Sequence, residues 1–468
     1  MAAPATSLDI EQLHAQLEER VAEAAERLGV PGVAVGLSSH GEADYVFFGV
    51  TSVENPLPVD ASTLFQIGST TKTYTGTAMM ILAERGLVDL DAPVRTYVPE
   101  LRLRDEQAAR TVTVLQLLNH TAGWSGDIPE ASGDGDDARE RFLEALAAAE
   151  QLSAPGTVAS YNNAAVNLAG LVIERVTRKT YEAVVRELLL DPLGMEHSFF
   201  FPGEVMTRRF AVGHRKRGGQ TGVARPWALP RAGAPAGGIT STAADQVRYA
   251  RFHLGDGRAP SGERLLSEQA LLRMREPTAP LHGNALGDWV GTSWLMRDVG
   301  GVRVVAHGGS MNGQQSAFEL VPDHDFAITV LTNADEGGLL EKEIVEWALE
   351  AYCGAVEPEP EPIEVDAVEI ERLSGRYAAQ HAIVDVTAQG QTLVLTVTYT
   401  EEGERLLREL IGELPETKPF PTRLIPGDRF MVTDGEAKGM KGNIMRDADG
   451  TVRALNVGGR LAYRADGR

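Results

Sequence analysis

Ser69 and Lys72 form the only Ser-x-x-Lys of the chain, and they stand where Phe65-Gln66-Ile67-Gly68 gives way to a helical pattern. Three residues apart at a helix start, the two side chains share one face, one turn apart. A serine hydroxyl is a weak nucleophile, and a neighbouring amine of lowered pKa can take its proton. The helix N-terminus favours the negative charge that then develops. Tyr161-Asn162-Asn163, the only Tyr-x-Asn among ten tyrosines, adds two further groups. The phenol can pass a proton to a leaving group, and an amide can donate to a substrate carbonyl. Without chemistry, the same stretch reads as a helix cap by Asn162 or Asn163 beside a packed Tyr161. His307-Gly308-Gly309-Ser310 ends an apolar strand. Glycines there let a substrate backbone come close, and the Ser310 amide can face an oxyanion. The second His-x-Gly, His253-Leu254-Gly255, lies beside Asp256-Gly257 and reads as a helix end.

These groups need elements to hold them. Ile10, Leu13, Leu17, Val21, Ala24, Ala25 and Leu28 recur at helical spacing over 9–28, with Ser7 or Asp9 as the cap. Two apolar runs, Gly32–Leu37 and Ala43–Val50, read as a hairpin across Ser38-Ser39-His40-Gly41-Glu42. Helical patterns fill the middle, over Lys72–Arg85, Thr113–Leu118, Ala138–Glu150, Ala164–Thr177 and Tyr181–Leu190. Strands return at Val302–Ala306, Ser316–Val321 and Phe326–Thr332, and a helix over Leu339–Tyr352 follows. Strands at both ends with helices between them imply an α/β fold. One antiparallel sheet would be built from both ends of the segment and covered by its terminal helices, with an all-helical lobe inserted. A ligand cleft is expected between the lobes. Val356-Glu-Pro-Glu-Pro-Glu-Pro-Ile363 is an extended, self-repelling spacer. Beyond it come short β runs with turn signals, at Ile383–Thr387, Thr392–Thr400, Arg429–Thr433, Gly442–Arg446 and Val452–Val457, the pattern of a small meander barrel.

Composition narrows the partners. The 468 residues are 43% hydrophobic and 24% charged, a globular mix long enough for two or three domains. A net charge of −22 argues against nucleic acid, and no apolar run is long enough for a membrane helix. The single cysteine, Cys353, excludes an internal disulfide and a multi-cysteine zinc site and reads as packing. Ten histidines form no His-Glu-x-x-His or Cys/His cluster, so no metal and no cofactor is expected. The N-terminus shows no basic start with an apolar core, which points to the cytoplasm. Asp127–Asp137 is acidic and glycine-rich, a solvated loop placed where a lid could lie. Residues 207–231 carry Arg208, Arg209, Arg215, Lys216, Arg217, Arg225 and Arg231 without an acid. The bland reading is solvated surface; the sharper one is contact with a substrate carboxylate or an acidic carrier partner. Nothing in the sequence fixes an oligomeric state.

In this order and at these elements, Ser69-x-x-Lys72, Tyr161-x-Asn163 and His307-x-Gly309 resemble the motifs of the serine β-lactamase and penicillin-binding-protein superfamily, in its class C-like branch. Leu117-Leu118-Asn119-His120-Thr121-Ala122-Gly123, Asp191-Pro192-Leu193-Gly194-Met195 and Ala236-Gly237-Gly238-Ile239-Thr240-Ser241-Thr242 are also similar to that branch. The resemblance covers roughly residues 10–353, and the C-terminal part resembles the lipocalin-like appendage of some members. It implies a catalytic domain over 1–355, with a sheet lobe at about 9–65 and 290–353 and a helical lobe at about 66–289. A linker at 356–366 and a lipocalin-like barrel at 367–468 would follow. By the same resemblance Ser69 is acylated, Lys72 is its base, Tyr161 relays protons and His307 sits on the opposing strand. Asn163, Gly308, Gly309 and Ser310 bind substrate, and the amides of Ser69 and Ser310 form the oxyanion hole. Where β-lactamases and transpeptidases usually carry Lys-Thr-Gly, this chain has His307-Gly308-Gly309. A lysine gives a substrate carboxylate a fixed cation that a neutral histidine does not. The esterase elbow Gly-x-Ser-x-Gly is absent, since Gly123-Trp124-Ser125-Gly126-Asp127 fails at its last position. The implied function is a serine hydrolase acting through an acyl-Ser69 intermediate on a small or D-residue-containing peptide, amide or ester. The alternatives are an acyltransferase or peptide cyclase of the thioesterase type, a β-lactamase, or a non-catalytic penicillin-binding or sensor protein.

Overall fold

Gly32–Ser39 (β1) and Phe326–Thr332 (β9) are apolar without alternation and buried over almost their whole lengths, so both of their faces must be covered. The computed structural model describes residues 10–227, 230–412, 414, 416–435 and 437–465, and it supplies both covers. Ile10–Leu28 (α1) and Gly337–Cys353 (α7) pack on one side through Leu17, Val21, Leu340, Ile344 and Leu349. Ala243–Leu254 (α6) lies on the other, so close that a Cβ at Gly36 would come within 2.9 Å of Val247. Only glycine fits at that point of β1. The caps expected at Ser7 or Asp9 lie outside the described residues.

The sheet has nine strands. In chain order they are β1, Glu42–Gly49 (β2), Ala279–Asn284 (β3), Gly287–Val290 (β4), Leu295–Val299 (β5), Val302–Ala306 (β6), Gly309–Met311 (β7), Gln314–Val321 (β8) and β9. Their spatial order is β2-β1-β9-β8-β6-β5-β4-β3, all antiparallel, with β7 on the edge of β8. The sheet is therefore made from both ends of the segment. Its C-terminal part begins at Ala279, earlier than the boundary near 290 drawn from sequence. His282 and Gly283 have positive φ and shift the register between β3 and β4, which hides the strand period.

The inserted helices gather round Thr71–Glu84 (α2), which is buried from Thr71 to Leu82. A helix buried on every side must be the centre of its lobe rather than its skin. Asn163–Thr177 (α4) and Tyr181–Val185 (α5) pack against it, Ala138–Leu146 (α3) packs on α4, and α5 runs on into a widened turn over Arg186–Leu190. Arg139 on α3 is fully buried and ties three elements together. It donates to Glu174 at 2.7 Å, to Glu182 at 3.0 Å and to the Arg231 carbonyl at 2.8 Å.

The Pro/Glu spacer has no regular structure but is not a free tether. The Ile363 amide donates to the Leu424 carbonyl, and the Gln391 side chain bonds both backbone groups of Val365. Glu357 meets Lys441 of the barrel at 2.5 Å and Arg297 of the sheet at 3.9 Å. The barrel is a closed eight-stranded meander: Gly375–Ala378 (β10), Ala382–Gln389 (β11), Thr392–Tyr399 (β12), Pro419–Ile425 (β13), Arg429–Val432 (β14), Lys441–Arg446 (β15), Val452–Val457 (β16) and Arg460–Arg464 (β17). Tyr377, Val384, Leu395, Leu424, Phe430 and Leu455 fill it. A helix, Glu401–Ile411 (α8), interrupts the meander where only strands were expected. Thr400 caps it, and three glutamates occupy its first turn. Among the described residues, no helix is long and apolar enough to cross a membrane.

Replacing Arg139 with leucine leaves Glu174 without its cation and Glu182 with Arg231 alone, at a cost of about 3–5 kcal/mol. The expected outcome is a clearly lowered urea midpoint; an unchanged midpoint would show that the lobe does not depend on this ion cluster.

Candidate active site

Ser69 lies in the short 3-10 turn Gly68–Thr70 that opens α2, at the foot of the edge strand β7. The approach is tight. A Cβ at Gly309 would meet the Ile67 carbonyl at 1.9 Å and the Ser69 nitrogen at 2.8 Å. A Cβ at Gly68, whose φ is +47°, would meet the Ser310 backbone at 2.8 Å. Side chains at either position would push β7 away from Ser69. Thr70 Oγ1 donates to the His307 carbonyl, and Ser316 Oγ donates to the Ile67 carbonyl, so the turn and the sheet are stitched together. The backbones of Ser69 and Ser310 thus adjoin, as two amides sharing an oxyanion must.

Lys72 is buried, and its Nζ lies 2.9 Å from Ser69 Oγ and 2.7 Å from the Ala236 carbonyl. Burial disfavours the ammonium and brings its pKa down to about 7. The negative charges of Glu130 and Asp127 pull the other way, while Arg460 reinforces the fall. Tyr161 is buried, hydrogen-bonded to Ser69 and pushed up to about 12 by desolvation, so it holds its proton. Its ring lies 4.9 Å from Lys72 Nζ. Asn162, one residue on, caps α4 by accepting from the Ala165 amide, while Asn163 turns into the cleft. The bland and chemical readings of this motif therefore fall on neighbouring residues. Asn163 Nδ2 donates to Asp127 at 2.8 Å.

His307 is buried at the end of β6, with Nδ1 2.7 Å from the Gly308 carbonyl, to which it donates. Burial and the nearby Lys72 push it down to about 3, so the ring is neutral at physiological pH. Its centroid lies 6.2 Å from that of Tyr161. Gly308, Gly309 and Ser310 are all at least partly exposed along the cleft edge. The cleft encloses about 340 Å³ and is bordered by Ser69, Asn163 and Ser310 together with Glu130, Arg215, Trp227 and Ala236. His253, the decoy motif, is buried at the end of α6 against Thr77.

Three further residues enter the site that sequence reasoning did not single out. His120, in a left-handed conformation, accepts the Asn162 amide on Nδ1 and packs 4.4 Å from Tyr161. Its only signal was membership of the Leu117–Gly123 turn. Glu130, within the acidic loop, borders the cleft. Arg460 comes from the barrel: it pairs with Asp127 at 2.5 Å and lies 5.1 Å from the Tyr161 ring. The Tyr161 amide donates to the Gly459 carbonyl, and the Leu461 amide to Ser160 Oγ. Candidate chemical groups were expected only before the linker; the β16–β17 turn brings one from beyond it. The basic segment is spread out in pairs: Arg209 with Asp60, Arg215 with Asp335, Lys216 with the Leu28 carbonyl, Arg225 with Glu54, and Arg231 with Asp136 and Glu182.

The β-lactamase family model matches residues 17–351. Penicillin-binding protein 4 of Amycolatopsis lactamdurans is 33% identical over 374 residues, which are 78% of this chain and 97% of that one. Among solved structures, SurE superposes with a TM-score of 0.74 at 27% identity, over 96% of this chain and 98% of that one. SurE with D-Leu gives 0.73 at 26% identity, over 96% and 99%. A class C β-lactamase shares the fold, with a TM-score of 0.61 at 21% identity over 73% of this chain and 98% of that one.

Arg460 holds down the pKa of Lys72 by charge repulsion, so Arg460→Gln should raise it. The neutral amine is the basic form, so ester turnover should rise with pH through about 7 in the wild type. In the variant that limb should move to higher pH. A pH profile of kcat/KM checks this, and an unmoved limb would mean that the two cations are not coupled.

Proposed function

The chain belongs to the β-lactamase family, and on that footing we propose that it is a serine hydrolase that acylates Ser69 with a small or D-residue-containing peptide, amide or ester. One observation carries the reading: a buried amine of pKa about 7 lies 2.9 Å from a partly exposed hydroxyl at a helix start. The neutral Lys72 takes the Ser69 proton as Oγ attacks the substrate carbonyl. The amides of Ser69 and Ser310 receive the oxyanion, and Asn163 donates to the substrate amide. Tyr161 stays protonated at neutral pH and delivers its proton to the leaving group, and its phenolate recovers the proton that Lys72 took from Ser69. Water then attacks the acyl-Ser69 ester with the same groups acting in reverse. Preference for a D-residue is supported by SurE, a structural relative solved with D-Leu. A non-catalytic sensor would not need the strained burial of Lys72.

Transfer to an amine is the second reading. Gly459 and Arg460 abut Tyr161, where an acceptor must approach, so the barrel supplies part of the surface an acceptor amine would meet. Intact mass after incubation with an N-acetyl-D-amino-acid methyl ester, with and without added amine, separates the two: a hydrolysed product or an amide.

Ser69→Ala should lower turnover on the order of 10³-fold or more and abolish the mass adduct, since the covalent step disappears. A variant keeping a tenth of wild-type rate would place the nucleophile elsewhere. Benzylpenicillin should be a poor substrate, because neutral His307 offers its carboxylate no fixed cation. A kcat/KM above roughly 10⁵ M⁻¹s⁻¹, mid-range for a dedicated enzyme, would contradict this.

A further inference from the structure

The buried helix α2 carries four threonines, and they divide by where their hydroxyls go. Thr73 Oγ1 donates to the Thr70 carbonyl and Thr77 Oγ1 to the Thr73 carbonyl, both at 2.8 Å. Bonding back to the preceding turn is the ordinary fate of a threonine in a dry helix. Thr71 and Thr75 reach across instead, to the segment 235–239. Thr71 Oγ1 accepts the Ile239 amide at 3.1 Å, and Thr75 Oγ1 donates to the Pro235 carbonyl at 2.7 Å. Between these two fixed points lies the Ala236 carbonyl, which receives Lys72 Nζ at 2.7 Å. A valine at position 75 would fill the same space with no polar group to pair, so packing alone does not call for the hydroxyl.

Two neighbours back the contact. The Tyr181 hydroxyl, at the start of α5, lies 2.8 Å from Thr75 Oγ1. Thr75 has one hydroxyl proton and gives it to a carbonyl, which can only accept, so the phenol is the donor. Burial pushes the Tyr181 pKa up and keeps that proton in place. From the other side α4 presses in at Gly170, where a Cβ would meet Pro235 Cγ at 2.2 Å. A carbonyl set so firmly matters because a neutral amine has two hydrogens and one lone pair. The Ala236 carbonyl must take a hydrogen, which bars the lone pair from that direction and leaves it to the Ser69 proton.

We propose that Thr75 is a positioning residue for Lys72, with Thr71 and Tyr181 as its partners: together they fix the Ala236 carbonyl so that the amine presents its lone pair to Ser69. The inference rests on the acyl-Ser69 reading above. The other charged and titratable groups round Lys72 sit on other elements: Glu130 and Asp127 on the acidic loop, Arg460 on the barrel, and Tyr161, His120 and His307. A substitution at Thr75 changes none of those charges. It lets the Ala236 carbonyl drift from the ammonium form, which loses an acceptor, so the pKa of Lys72 falls further. A substitution that only loosened the packing would admit water and raise it.

Thr75→Val and Thr75→Ser in the full chain test this, with N-acetyl-D-alanine methyl ester as substrate and intact mass to follow the Ser69 adduct. Thr75→Val should lower kcat at the pH plateau on the order of 10-fold, with KM within about twofold of wild type. The acidic limb of its kcat/KM profile should move to lower pH. Thr75→Ser keeps the hydroxyl and should restore both. Tyr181→Phe leaves the Thr75–Pro235 bond in place and should move the same quantities less; it decides the matter if Thr75→Val does not fold by circular dichroism. A Thr75→Val enzyme with wild-type kcat, with a loss confined to KM or with a limb moved to higher pH overturns the inference. So does a Thr75→Ser enzyme as slow as Thr75→Val, or, where Tyr181→Phe decides, one with wild-type kcat and limb. Each of these results leaves the wild-type Ser69 adduct, and the reading beneath, intact. No Ser69 adduct in the wild type overturns both.

Discussion

Moving an ammonium group out of water is among the costliest things a fold can do, and Lys72 has been moved out entirely. The cost is met by giving up the proton: with its pKa near 7, the amine can sit between Ser69 Oγ and the Ala236 carbonyl as a neutral donor and acceptor. Everything round it serves that state. α2 is buried from Thr71 to Leu82, so its first turn is dry. Arg139 and its two glutamates hold α3, α4 and α5 together with charges that compensate one another well away from the site.

The same dry site forces its neighbours into fixed protonation states. Tyr161 keeps its proton and His307 loses its own, both by burial. Opposing charges then act on Lys72, Glu130 and Asp127 from the loop and Arg460 from the barrel. The amine is thus balanced by residues far apart in the chain, and one of them belongs to another domain.

The barrel is accordingly more than an appendage. Gly459 accepts from the Tyr161 amide and the Leu461 amide donates to the Ser160 hydroxyl, and Leu461 and Tyr463 pack with Leu152 and Val158. Glu357 of the spacer bridges Lys441 and Arg297, so barrel and sheet are joined at a second place. A segment of alternating proline and glutamate reads as a spacer because like charges repel along the chain. It behaves as a strap because basic partners from both domains are there to meet it.

Local pattern was enough for much of this. The spacing of Ser69 and Lys72 on one helix face, the helical periods from Ala138 to Thr177 and the fully apolar runs of β1 and β9 depend only on near neighbours, so they could be read along the chain. The antiparallel sheet built from both ends followed from element order, because strands separated by helices must find one another to bury their faces. What could not be read was proximity without pattern. β3 and β4 were hidden by His282 and Gly283, whose left-handed backbone breaks the two-residue period. The helix α8 was hidden inside a strand-rich region. Glu130 and Arg460 carry no local mark at all: one is an acid in an acidic loop, the other an arginine after two glycines. The sequence determined the chemical groups and the elements that carry them, since those depend on residue type and short-range spacing. Only the tertiary structure decided which charges surround Lys72 and which residues line the cleft, because desolvation and Coulomb interaction act through space and not along the chain.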